Sequence, residues 1–142
     1  ISFNQKLKIL YLMQAFMERT DREHPMSVPD LILYLDGYGI SVERKTVYED
    51  IETLRIFGMK IENRREKPSG YYLADRDFSF PELKILMDAV QSSRFITERQ
   101  SRELVRKLEH LTSISEAKRL QSQTSVLSGS NAFNREIYES IQ

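Results

Sequence analysis

Ser41-Val42-Glu43-Arg44-Lys45-Thr46-Val47-Tyr48-Glu49-Asp50-Ile51-Glu52-Thr53-Leu54-Arg55-Ile56-Phe57-Gly58 carries apolar residues at Val47, Ile51 and Leu54. Steps of four and then three residues return to the same side of a helix, so these side chains share one face that can dock on a core. Arg44 and Lys45 enter the helix and Gly58 stops it, which sets its bounds at 43–57. Arg44, Lys45, Tyr48 and Arg55 are left to point outward or sideways. A docked helix whose first turn offers cations has the layout of a helix that reads DNA. Taken alone, the pattern also describes an amphipathic helix with a solvated charged face.

The flanking sequence narrows the choice. Upstream, Ile9, Leu12, Met13 and Phe16 fall on one helical face, and the polar stretch from Glu18 to His24 ends that helix before Pro25. Ser27 then offers an N-cap oxygen, with Asp30 three residues on and Pro29 in the first turn. Leu31, Ile32 and Leu35 make the apolar face of a short second helix, and Gly37 and Gly39 allow a tight turn after it. Downstream, Met59 to Arg64 alternates apolar and polar, Lys67-Pro68-Ser69-Gly70 is turn chemistry, and Tyr71-Tyr72-Leu73 resumes an extended run. Helix, helix, turn, helix and hairpin is the element order of a winged helix-turn-helix, a mainly α fold with a small β-hairpin. It is complete near residue 75.

The chain has 142 residues, which leaves room for a second structured region. Its 21 basic and 21 acidic residues cancel, so any polyanion-binding charge must be local. Over residues 60–67, Lys60, Arg64, Arg65 and Lys67 outnumber Glu62 and Glu66 beside the turn, as in a wing that reaches a phosphate backbone. The same charges would also keep an edge strand from pairing. There is no cysteine, which removes disulfides, thiolate nucleophiles and cysteine-ligated metals. No apolar run approaches membrane-spanning length, and no signal-peptide pattern opens the sequence at Ile1. A cytoplasmic protein is expected, read as a piece of a longer one.

The residues carry a family resemblance. Arg44-Lys45-Thr46, Val47-Tyr48, Asp50-Ile51 and Phe57-Gly58 together resemble the recognition helix of bacterial transcriptional regulators that carry a WYL effector domain. The likeness continues through Gly70-Tyr71-Tyr72-Leu73, Asp75 to Lys84 and Asp88 to Ile96. Glu43 and Glu49 depart from it, standing where the family more often has a short capping side chain and a basic one. The resemblance implies a regulator of duplex DNA that works as a homodimer, with its effector ligand bound by a C-terminal WYL module not represented here.

Past the wing, Leu83, Leu86, Met87 and Val90 form one helical face, Leu104, Leu108 and Leu111 another, and Ile114, Ala117 and Leu120 a third. Asp77, Ser79 and Thr97 are candidate caps, with Pro81 in a first turn. Gln121 to Asn131 reads as a Ser-rich linker, and Phe133, Ile137 and Ile141 mark a last helix. The division expected is a winged helix-turn-helix over 1–75 and a helical linker or dimerisation region over 76–142.

Catalysis finds no footing. His24 and His110 lie far apart without a carboxylate pattern around them, and the five glycines form no phosphate-cradling loop. No enzyme activity, cofactor or metal is expected. The DNA reading assigns Lys45, Thr46 and Tyr48 to bases, Arg44 and Arg55 to phosphates, and Arg64, Arg65 and Lys67 to the wing. A winged helix used for protein assembly, or the accessory domain of a larger enzyme, is the alternative.

Overall fold

Ser27 opens the second helix with a reciprocal capping box: its hydroxyl accepts from the Asp30 amide, and the Asp30 carboxylate accepts from the Ser27 amide. That local chemistry fixes the start of α2 (Val28–Asp36) between α1 (Phe3–Arg19) and α3 (Arg44–Phe57). A two-stranded antiparallel sheet follows, β1 (Ile61–Arg64) and β2 (Gly70–Leu73), with Ile61 opposite Leu73 and Arg64 opposite Gly70. Then come α4 (Phe80–Gln91), α5 (Glu98–Glu109) and a helical stretch over residues 114–123. This computed structural model describes residues 3–123, with side chains from Lys6 onward. Among the described residues the protein is mainly helical with one small sheet, and the chain divides into two compact units, Ile1–Arg76 and Asp77–Gln142.

The first unit closes around Leu12, Ala15 and Phe16 from α1, Val28, Leu31 and Leu35 from α2, and Val47, Ile51 and Leu54 from α3, joined by Ile40 and Ile61. Burying each large side chain contributes roughly 1.5–3 kcal/mol, so this cluster sets the relative placement of the three helices and the hairpin root. Between α2 and α3 only Gly39 takes a left-handed conformation, at φ 76°; Gly37 caps α2 in a right-handed conformation at φ −61°. Ser41 to Glu43 precede α3 outside the helix, so the helix begins at Arg44.

Residues 18–24 do more than terminate α1. Thr20 and Asp21 are buried. The Thr20 hydroxyl donates to the Phe16 carbonyl at 2.6 Å and accepts from the Leu73 amide at 3.0 Å, which ties the end of α1 to β2. Met26 and Tyr71 exchange two backbone hydrogen bonds, 2.9 and 2.7 Å, on the other side of β2. There the chains run so close that a Cβ on Gly70 would lie 2.6 Å from the Met26 carbonyl carbon, and Gly70 itself sits at φ 150°. Only glycine fits both demands. Arg76 closes the unit by donating to the carbonyls of Phe16, Met17 and Thr20.

In the second unit Ser79 and Thr97 cap α4 and α5 with their own capping boxes, whereas Asp77 caps neither helix. Leu83, Met87 and Leu120 are buried against Phe80, Val105 and Leu108. The packing face of α5 is thus Val105 and Leu108. Leu104 and Leu111, expected on the stripe, are exposed, as is Ile114. A guanidinium, that of Arg119, lies 4.2 Å above the Phe80 ring. Residues 121–123 continue the helix where a linker was expected; the rest of that linker and the helix at Phe133, Ile137 and Ile141 lie outside the described residues.

Candidate nucleic-acid interface

The buried stripe of α3 decides what its other sides can do. At 100° per residue, Lys45, Glu49, Glu52 and Ile56 come round to the side opposite Val47, Ile51 and Leu54, and all four are exposed. Arg44, Tyr48 and Arg55 fall on the flank beside the hairpin. Thr46 and Asp50 fall on the opposite flank, both half-buried, where Asp50 pairs with Lys8 of α1 at 3.1 Å. One flank is therefore anchored to α1, the other leans on β2, and the outward side is free.

Contacts with Tyr71 join the hairpin flank of α3 to β2. Its ring meets Tyr48 edge-on at 6.4 Å, and the Arg55 guanidinium sits 5.9 Å above it. Arg55 also donates to the Ile61 carbonyl at 3.0 Å and pairs with Glu52, so its charge is largely engaged within the fold rather than offered to a phosphate. Arg44 reaches the Tyr48 hydroxyl at 3.4 Å and otherwise faces solvent. Among the sequence-derived contacts, Arg44, Lys45 and Tyr48 thus form an exposed edge at the start of α3. Thr46 is half-buried and lines a shallow cleft of about 260 Å³ with Ser41, Val42 and Glu43.

Unlike α2, α4 and α5, α3 begins without a side-chain cap, because Glu43 makes no cap hydrogen bond. Its first-turn amides and the positive end of its dipole lie at the same end of the helix as Arg44 and Lys45.

The basic run of the hairpin divides in two. Arg64 is turned inward, with its side chain 14% exposed, donating to the Arg22 carbonyl at 2.7 Å and the Lys67 carbonyl at 3.1 Å, and lying 3.6 Å from Glu23. Its Nε is buried without a partner. The exposed wing cation expected at Arg64 is instead a clamp between the α1–α2 loop and the hairpin turn. Arg65 and Lys67 remain exposed, and the clamp brings the backbone of Arg22, also exposed, to the same guanidinium. Sequence reasoning missed Arg22 because nothing local links it to a turn more than forty residues on.

His24 also departs from expectation. Its Nδ1 lies 2.9 Å from the buried Asp21 carboxylate, which further accepts from the Glu23 and His24 amides. The ring is exposed on a tight turn, a local turn-stabilising pair. Between α1 and the end of α2, Tyr11 stacks on Tyr38 at 4.1 Å, and Gln14 donates to the hydroxyls of Tyr34 and Tyr38. Burial, with a smaller push from Tyr38, raises the Tyr34 phenol to about 12.

No family model, curated protein or solved structure matches the chain. Among the described residues no helix is long and apolar enough to cross a membrane, and no group of three or more His, Cys, Asp or Glu is placed to hold a metal ion.

Proposed function

We propose that the first unit is a winged helix-turn-helix module that binds duplex DNA, with α3 as the reading helix and the β1–β2 hairpin as the wing. The observation that carries the reading is the exposed edge of Arg44, Lys45 and Tyr48, held by the Tyr48–Tyr71 contact beside a hairpin turn that carries free Arg65 and Lys67. A helix in the major groove and a basic turn on the flanking phosphates is the division of labour such an arrangement allows. The resemblance to WYL-domain regulators extends the proposal: the chain works within a homodimeric transcriptional regulator whose effector binds elsewhere. With a net charge of zero, the electrostatic part of binding rests on a few local cations rather than on the whole surface.

A fluorescence anisotropy titration against duplex DNA, repeated over a salt series, tests this. Binding should weaken with a log–log slope of about −0.9 per phosphate contacted, so three to five contacts give a slope of roughly −2.7 to −4.5. Absence of binding at low salt removes the reading. A second reading then takes over, for which Ile56 and Phe57 at the end of α3, 86% and 77% exposed, and Leu33 of α2, 71% exposed, are the specific support. Apolar side chains that open to water suit a protein-docking surface.

A further inference from the structure

We infer that Glu49 is the specificity-determining side chain of α3 and that it selects a cytosine in the major groove. The inference rests on the DNA-binding reading above and goes beyond it, because it names the base chemistry from a residue that a phosphate-binding surface would not choose. Of the four side chains on the outward side of α3, Ile56 is apolar and Glu52 is paired with Arg55. Lys45 and Glu49 remain, one turn apart and both exposed. The Glu49 carboxylate has no hydrogen-bond or ion-pair partner among the described residues, and its backbone carbonyl is occupied by the Thr53 hydroxyl at 3.1 Å.

A helix lying in the groove with this side inward carries the carboxylate between two rows of phosphates that repel it. A carboxylate only accepts hydrogen bonds, so base-edge donors are what can offset that repulsion. The major groove offers two, the N4 amino group of cytosine and the N6 amino group of adenine. Adenine sets its N7 acceptor beside the donor, where it would oppose the second carboxylate oxygen. Cytosine carries no acceptor on its groove edge, so it is the better partner. Lys45, one turn earlier on the same side, is the complementary donor for guanine O6 and N7. An acidic group at this place lowers affinity for every site that lacks the donor, so it yields discrimination at the expense of non-specific binding.

Selection of bound duplexes from a random pool, run in parallel with the unaltered chain, Glu49→Gln and Glu49→Ala, tests the assignment. Thermal unfolding confirms that the exposed substitutions leave the fold intact. The unaltered chain should enrich a cytosine at one position of its site. Glu49→Gln should shift that position toward adenine, whose N6 and N7 match a carboxamide, and Glu49→Ala should accept all four bases there while the remaining positions are kept. In direct titration, changing that base should weaken the unaltered chain on the order of tenfold and leave Glu49→Ala nearly unaffected. Both variants should bind random duplex more tightly than the parent. Identical enriched sites for all three proteins would overturn the role of Glu49 and leave DNA binding standing. Failure of the unaltered chain to bind any duplex would overturn the DNA reading itself, and the inference with it.

Discussion

Replacing Arg64 separates a structural cation from a DNA-contacting one. Its guanidinium donates two charge-assisted hydrogen bonds, to the carbonyls of Arg22 and Lys67, from a mostly buried position. Such bonds contribute about 1.5–3 kcal/mol each, whereas the ion pair with the exposed Glu23 adds little. Against this stands the buried, unpartnered Nε, whose desolvation costs about 1–3 kcal/mol. The balance puts Arg64→Ala at about 2–3 kcal/mol of lost stability, or about 10–20 °C in the transition of a unit of this size. Arg64→Lys keeps the charge but cannot span two carbonyls with one planar fork, so it should remain nearly as unstable as the alanine variant. Urea and thermal unfolding read the stability, and DNA titrations over salt, taken where each variant is folded, read the charge. The salt slope should stay unchanged in both variants. An Arg64→Ala protein that unfolds with the parent, while its slope falls by about one, would refute the clamp and make Arg64 a phosphate contact.

Two further predictions rest on the same unit. Gly70→Ala forces a Cβ against the Met26 and Ser27 backbone, so it should lose more than about 3 kcal/mol. Gly39→Ala meets open space at φ 76° and should cost only about 1–2 kcal/mol; equal urea midpoints for the two would dismiss the close approach. Because the Tyr34 phenol is raised to about 12 from the ordinary 10, the unfolded chain releases its proton first as pH rises. Its contribution to stability is full below pH 10 and declines as pH climbs toward 12. Phenolate absorbance of the parent and Tyr34→Phe should differ by one late-titrating group, and a group titrating near 10 would count against burial.

Local chemistry was readable and distant chemistry was not. The α3 stripe of Val47, Ile51 and Leu54 is buried because the 3.6-residue period ties sequence spacing directly to one face. Ser27, Ser79 and Thr97 cap helices because a capping box closes within four residues. Thr20, in contrast, looked like part of a polar terminator, although its hydroxyl bonds to an amide 53 residues away. Arg64 read as a surface charge because it stands in a basic run; its orientation is set by two loops brought together only by the fold. On α5 the chosen stripe missed by one residue, since Leu104 and Val105 are both apolar and only packing shows which turns inward. Of the candidate residues, the exposure of Arg44, Lys45 and Tyr48 followed from helix geometry, whereas the half-burial of Thr46 and the engagement of Arg55 and Arg64 depended on packing and partners that no local pattern reveals.

An isolated two-stranded hairpin of four-residue strands is at best marginally stable in water. Here it is pinned at the root by Thr20, along β2 by Met26, and near the turn by the Arg64 fork. Within the short turn from Arg65 to Ser69, the Arg64 fork holds the Lys67 carbonyl. Ordering one backbone residue costs about 1–2 kcal/mol, so a hairpin immobilised beforehand spares most of the entropy that a floppy arm of equal length would forfeit. For the DNA binding proposed above, modest charge can then suffice, because the arm is already shaped.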